Sequence, residues 1–274
     1  PSEEMKIRGI ISVLMFAAAA LSAHTSAVVI TAEADSAYKA GDFERAITLY
    51  EELADKEGVS PGLLYNLGNA SVEAHDYGKA VLCYEKALRL DPSNKEIRRN
   101  LEYVTAKVED ANRSELKGKR FKITPDEQSF FQSIYTSLAC ERSSDMWAVW
   151  GAGLFLLSLA GVALYMFSRN VPVRKLGFFG AFAGLCLSVA AIVCAFAAAG
   201  HYDTHEEGVL TGYKVDLYNT PEAGSQTVGT VLTRGTKVRI VAEETDVEGE
   251  VTWYRVRLNS DFIGWVRAAD LTVI

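Results

Sequence analysis

The chain has 274 residues, 49% of them hydrophobic and 23% charged, with 35 acidic against 28 basic side chains and a formal net charge of −7. Its length suggests about two domains, and its four cysteines are too few for a disulfide-built miniprotein. The acidic balance argues against nucleic acid as a main partner, because phosphate recognition needs concentrated positive charge.

The first segment reads as an address. From Met5, the expected natural start, Lys6 and Arg8 form a positive region and Ile10 to Leu21 a short apolar one. Thr25-Ser26-Ala27 then offers a cleavage site. This is the pattern of a secretory signal peptide over residues 1–27; an uncleaved anchor is the alternative. The following chain is expected on the far side of a membrane.

A shift of 34 residues superposes Ala40 on Ala74, Asp42 on Asp76, Ala46 on Ala80, Tyr50 on Tyr84 and Glu51 on Glu85. That period marks helix–turn–helix solenoid units, expected at about 27–60 and 61–94. A helix over 94–107, with Ile97, Leu101 and Val104 at helical spacing, would cap them. Leu67-Gly68, Ala80, Tyr84, Ala87 and Pro92 stand where the tetratricopeptide repeat motif has them, and the segment resembles that family. Peptide or protein binding in the concave face is implied, with Asn66, Asn69 and Glu73 as the contact candidates; plain solvated helix positions are the alternative. Gly68 and Ala80 are expected where paired helices approach closely.

Residues 108–145 are expected to be a linker followed by a juxtamembrane helix. The stretch 109–122 is dense in charge, with a basic cluster at Lys117, Lys119, Arg120 and Lys122. Phe130, Phe131, Ile134, Tyr135 and Leu138 then form an apolar stripe suited to a membrane interface, with packing onto the repeats as the alternative. Residues 146–168 and 176–200 carry no charge at all, and each is long enough to cross a hydrocarbon core of roughly 30 Å. The connector 169–175 holds Arg169, Arg174 and Lys175, whereas the outer flanks carry Glu141, Asp145, Asp203, Glu206 and Glu207. The positive-inside rule puts the connector in the cytoplasm. Both large flanking parts then lie outside, in agreement with the signal peptide. Glycines at 151, 153, 161, 177, 180 and 184 would permit close helix packing.

Residues 201–274 change to short β-branched runs separated by turns, an all-β barrel pattern. Strands are expected at Gly208–Thr211, Val215–Tyr218, Lys237–Glu243, Trp253–Leu258, Gly264–Arg267 and Leu271–Ile274. Asn219-Thr220-Pro221, the Gly235-Thr236 turn, Trp253-Tyr254-Arg255-Val256 and Ile263-Gly264-Trp265-Val266 resemble the bacterial SH3-like family. The resemblance implies a peptide or peptidoglycan groove, with Tyr218, Trp253 and Trp265 as candidates. Core packing is the stronger reading for Trp265.

No nucleophile–base, paired-carboxylate or phosphate-loop pattern appears, so neither an enzyme nor a cofactor is expected. His201 and His205, at i and i+4, are the weak metal candidates, against a polar linker as the plainer reading. Cys83 and Cys140 would face an oxidising compartment, with nothing to bring them together. The module order, with Ser143-Ser144-Asp145-Met146-Trp147 entering the first span, resembles the BatE family of aerotolerance-operon proteins. That resemblance implies a bacterial inner-membrane scaffold partnered by von Willebrand A-domain Bat proteins and a MoxR-type ATPase. The lipid bilayer and peptidoglycan are the other expected partners.

Overall fold

The computed structural model describes residues 28–115, 143–202, 207–222, 224–245, 249–258 and 262–274. The signal segment, the basic cluster, the aromatic stripe at 130–138, Cys140 and His205 lie outside those residues.

Five helices come first: α1 over 28–39, α2 Phe43–Glu57, α3 Pro61–Glu73, α4 Tyr77–Leu90 and α5 Lys95–Glu115. The 34-residue period has a physical meaning at each identity. Asp42 and Asp76 are both N-caps, their carboxylates accepting from the amides of Arg45 at 3.3 Å and Lys79 at 3.0 Å. Such caps stabilise a helix by about 1 kcal/mol each. Gly41 and His75, also 34 apart, both turn the chain at positive φ. Tyr50 donates its hydroxyl to Asp35 at 2.7 Å, and its repeat-mate Tyr84 donates to Asn69 at 2.6 Å. Each ring thus anchors the second helix of a unit to the first. The first unit is as regular as the second over its described residues.

The small residues at Ala34 and Gly68 are both buried among these helices. A Cβ on Gly68 would meet the Tyr84 ring, so it is this ring, more than a neighbouring backbone, that requires glycine there. Leu64, Ala80, Val81, Tyr84, Ala87, Leu88, Ile97 and Val104 form the core between α3, α4 and α5.

The cap is longer than the expected 94–107. Helix α5 runs on to Glu115, into the stretch expected to be linker or frayed helix. Its distal turns have something to hold, because Val108 and Asn112 are buried against the C-terminal module.

Two long apolar helices follow, α6 Ser144–Phe167 and α7 Val171–Tyr202. Helix α7 starts earlier than the expected span, with Pro172 in its first turn, where a missing amide hydrogen costs nothing. Only residues 168–170 connect the two helices, and Arg174 and Lys175 sit on α7 itself. A Cβ on Gly177 would stand 2.7 Å from the Gly161 carbonyl and 2.8 Å from the Tyr165 amide nitrogen, so the backbones touch. Ser158 donates to the Ala181 carbonyl at 2.8 Å and Ser188 to the Gly151 carbonyl at 2.9 Å. The outward surface is almost wholly apolar: Phe167 is 83% exposed and Phe196 76%. Both helices are long and apolar enough to cross a membrane, and an apolar face of that extent is compatible with a two-span membrane protein.

The C-terminal module is a seven-stranded antiparallel sheet: β1 Glu207–Leu210, β2 Lys214–Tyr218, β3 Thr227–Thr233, β4 Lys237–Thr245, β5 Val251–Arg257, β6 Ile263–Arg267 and β7 Leu271–Val273, with a 3₁₀ turn at Ala268–Asp270. The spatial order is β3-β2-β6-β5-β4-β1-β7. Alternate residues Val215, Leu217, Val238, Ile240, Val256 and Val266 fill the core with Leu210, Leu232 and Leu271. Six of the seven strands were expected. Strand β3 was not, because Gly229 and three threonines interrupt its apolar alternation.

The C-terminal module docks on the repeats. Strand β1 is buried on both faces: Leu210 points into the sheet core, while Val209, fully buried, joins the helical core together with Ile274. Around this apolar plug, Arg234 pairs with Asp76 at 2.8 Å, and Lys237 reaches Glu85 at 3.1 Å and Glu207 at 2.9 Å. Arg89 approaches Glu207 at 3.6 Å. Asn112, 6% exposed, reads the β3–β4 turn. Its carbonyl accepts from the Thr233 amide (2.8 Å) and hydroxyl (2.9 Å), and its amide donates to the Thr236 hydroxyl (2.8 Å). Gly235 closes that turn at φ 89°, and a side chain there would strike Gly78. Glycine alone suits both demands.

Candidate functional site: a repeat groove and an aromatic sheet face

The first surface lies between the leading helices of the two repeats. A pocket of about 260 Å³ is lined by Asp35, Tyr38 and Lys39 of α1, Tyr50 of α2, and Asn66 and Asn69 of α3. Of the expected contact residues, Asn66 and Asn69 are thus brought together in one pocket. Glu73 is exposed at the end of α3, beside rather than inside the lining.

Asn69 has a second task. Its carbonyl oxygen accepts from Tyr84 and, at 3.1 Å, from the Asn100 amide, so it ties α3 to α4 and α5. Asp35 holds Tyr50 in the same way. The side chains left to meet a ligand are therefore Tyr38, Lys39 and Asn66. Tyr38 and Lys39 escaped notice in the sequence because the repeat comparison drew attention to the better-matching second copy. Register supplies the missing signal: Lys39 occupies in the first repeat the position of Glu73 in the second.

The electrostatics favour neutral tyrosines. Burial raises the Tyr50 hydroxyl far above its usual value of 10, and the bond to Asp35 raises it further. Burial likewise raises Tyr38, with the nearby Glu73 charge adding to the effect. Both rings remain protonated donors at any physiological pH. Lys39 is exposed and forms no ion pair among the described residues, and with Asp35 in the same lining the groove offers a cation and an amide to an incoming polar group. Cys83 is buried in the repeat core. Burial pushes its thiol up to about 12, which leaves it unreactive.

The second surface is the outer face of β2, β6 and β5. Tyr218 lies directly opposite Trp265, Trp265 opposite Arg255, and Trp253 opposite Arg267. All five side chains share one face, because side chains alternate along a strand. The reading of Trp265 as a core residue is corrected here. Its neighbours Gly264 and Val266 are the buried ones, and Trp265 itself is half-buried on the outer face. Tyr218 and Trp253 meet edge to face, with ring centroids 5.4 Å apart and planes at 83°. On the strands this patch lies far from the docked edge: Lys214 pairs with Thr233 next to the repeats, whereas Tyr218 pairs with Thr227.

Of the weak metal candidates, His205 lies outside the described residues, and only the backbone of His201 is described. Among the described residues no group of three His, Cys, Asp or Glu could hold a metal ion.

Comparison with known families agrees with this geometry. Residues 31–101 match the tetratricopeptide repeat family model, and residues 214–272 match the bacterial SH3 domain. No curated protein matches the chain. Modules of both kinds typically bind other molecules rather than catalyse reactions. The molecule thus joins a tetratricopeptide solenoid and an SH3-like β domain on either side of an apolar helical hairpin, the two modules being docked on one another.

Proposed function

We propose that this chain is a non-catalytic, membrane-anchored interaction scaffold. The observation that carries the reading is the docked pair of recognition modules. The polar interface fastens them into one unit, yet it leaves both the Lys39–Asn66 groove and the Tyr218–Trp253–Trp265 face open. Docking also requires both modules on the same side of the bilayer, which an even number of spans between them satisfies. The basic residues near the hairpin turn support a cytoplasmic connector and a periplasmic location for the modules, in a bacterial inner membrane.

Within this reading, the module order supports a role like that of the BatE family, in a complex of von Willebrand A-domain Bat proteins with a MoxR-type ATPase linked to aerotolerance or stress. The test is affinity purification of the full chain from solubilised membranes, beside a K39A/N66A variant. Such partners should be recovered with the wild type and lost with the variant. Recovery of no partner would end the scaffold reading, and undiminished recovery with the variant would end the assignment to the groove.

A second reading is favoured by the SH3 match and the half-buried, outward-facing aromatic cluster: the chain grips peptidoglycan. Full-length protein should then co-sediment with purified sacculi, and Trp253→Ala should release it. Failure of the wild type to sediment would eliminate this alternative.

A further inference from the structure

At the turn of the hairpin, beyond the Gly161–Gly177 contact, lies a cleft of about 350 Å³. Its lining is Tyr165, Val171, Arg174, Lys175, Phe178 and Phe179. The chemistry is divided. One wall is aromatic: Tyr165 packs on Phe178 at 5.8 Å between centroids, and Phe178 on Phe179 at 5.5 Å. The other wall is cationic, and the Arg174 guanidinium lies 5.2 Å over the Tyr165 ring. That stacking fixes the arginine head at the mouth of the cleft.

Among the described residues these cations meet no anion. The sequence from Met146 to Tyr202 contains no aspartate or glutamate, yet it carries Arg169, Arg174 and Lys175. Among the described residues no carboxylate pairs with any of the three. An unneutralised cluster at the end of two apolar helices calls for negative charge from the surroundings. At that depth the surroundings are headgroups.

We infer that this cleft binds an anionic phospholipid, its phosphate held by Arg174 and Lys175 and an acyl chain laid along Phe178 and Phe179. The combination selects the source. A free phosphate would use the cations alone and gain nothing from three exposed aromatic rings, whereas a lipid presents an anion to the cationic wall and a chain to the apolar one. Basic pockets between membrane helices bind acidic headgroups on this principle. The inference rests on the reading of α6 and α7 as a membrane hairpin, and its test separates the two.

The first arm is an alkaline wash of membranes containing the full chain. Retention in the pellet supports the hairpin, and release would overturn it and the lipid site with it. The second arm is native mass spectrometry of the full chain from mixed micelles of phosphatidylglycerol and phosphatidylcholine. With roughly fivefold per cation near an anionic surface, two cations predict a preference for phosphatidylglycerol of up to about 25-fold. R174Q/K175Q should bring the two lipids to parity while circular dichroism stays unchanged, and Tyr165→Ala should weaken the preference by releasing the arginine. Equal retention of both lipids by the wild type would refute the site even if the hairpin stands, and so would a preference that survives R174Q/K175Q. Millimolar inorganic phosphate should leave the lipid bound; complete displacement would show a simple anion site and overturn the lipid.

Discussion

The molecule contains two large internal contacts, and they are built from opposite materials. The repeats and the β domain meet through a buried valine and isoleucine ringed by ion pairs and by the three hydrogen bonds of Asn112. The two hairpin helices meet through glycines, two serine hydroxyls and, at the turn, Tyr165 against Phe178 and Arg174, with no ion pair between them among the described residues. In the proposed setting, with the hairpin in a membrane, the difference follows the solvent. In water, removing apolar surface drives association, and charges at the rim fix the register. In lipid no such drive exists between apolar helices, so close backbone packing and hydroxyl-to-carbonyl bonds must suffice.

Substitutions that transplant one chemistry into the other contact should show this. The largest effect is expected from Val209→Asp, which buries an unpaired charge between the modules at a cost of about 3–5 kcal/mol. The β domain should undock, seen as new hydrogen exchange along α5 and β1 with the hairpin unaffected. Unchanged exchange there would contradict the shared core. Gly177→Leu should come next, by about 1–3 kcal/mol or more, because its side chain has only the facing backbone to enter. Thermal unfolding in detergent, followed through the hairpin helices, measures it, and the modules should stay docked.

Asn112→Ala is expected to cost about 1–3 kcal/mol, since the Thr233 amide loses its acceptor inside the interface. Stability of the docked form against denaturant would register the loss, and Asn112→Asp should recover only the acceptor half. The smallest effect concerns pH. Burial alone would lower the Lys237 ammonium, but Glu85 and Glu207 outweigh it and hold it above its usual 10.5. A raised lysine contributes stability that is complete below its unfolded value and fades as pH climbs through the folded one. Docking should therefore be insensitive to Lys237 up to about pH 10 and weaken beyond it. The difference between wild type and Lys237→Gln across that range isolates this contribution from the buried tyrosines.

The same contrast explains what could be read from the residues alone. The repeats announced themselves because Asp42 and Asp76, or Tyr50 and Tyr84, do the same job at the same interval, and the spans did so because charge is missing for more than twenty residues. Periodicity and composition are local signals. Asn112 carries neither, being one polar side chain in a charged stretch, and its partners lie more than 120 residues away. Docking was invisible for that reason. Trp265 was misjudged because an aromatic in a strand flanked by Gly264 and Val266 reads as core until register shows which face those neighbours occupy. In the groove, Asn69 looked available because a sequence cannot show that Tyr84 already occupies its carbonyl.

Strand β1 begins five residues after the last residue of α7. Five backbone steps cover at most about 18 Å, so the docked pair cannot stray far from the end of that helix. The repeats, though joined to the other helix by a longer stretch, are held by the same short leash through β1. With the hairpin in a bilayer, as proposed, any partner of the groove must work within a thin layer beside it. A partner that is itself membrane-bound searches that layer in two dimensions, and its effective concentration rises accordingly. For such a partner even a shallow groove of modest affinity would be well occupied, while a freely diffusing competitor with the same contacts would gain no such advantage.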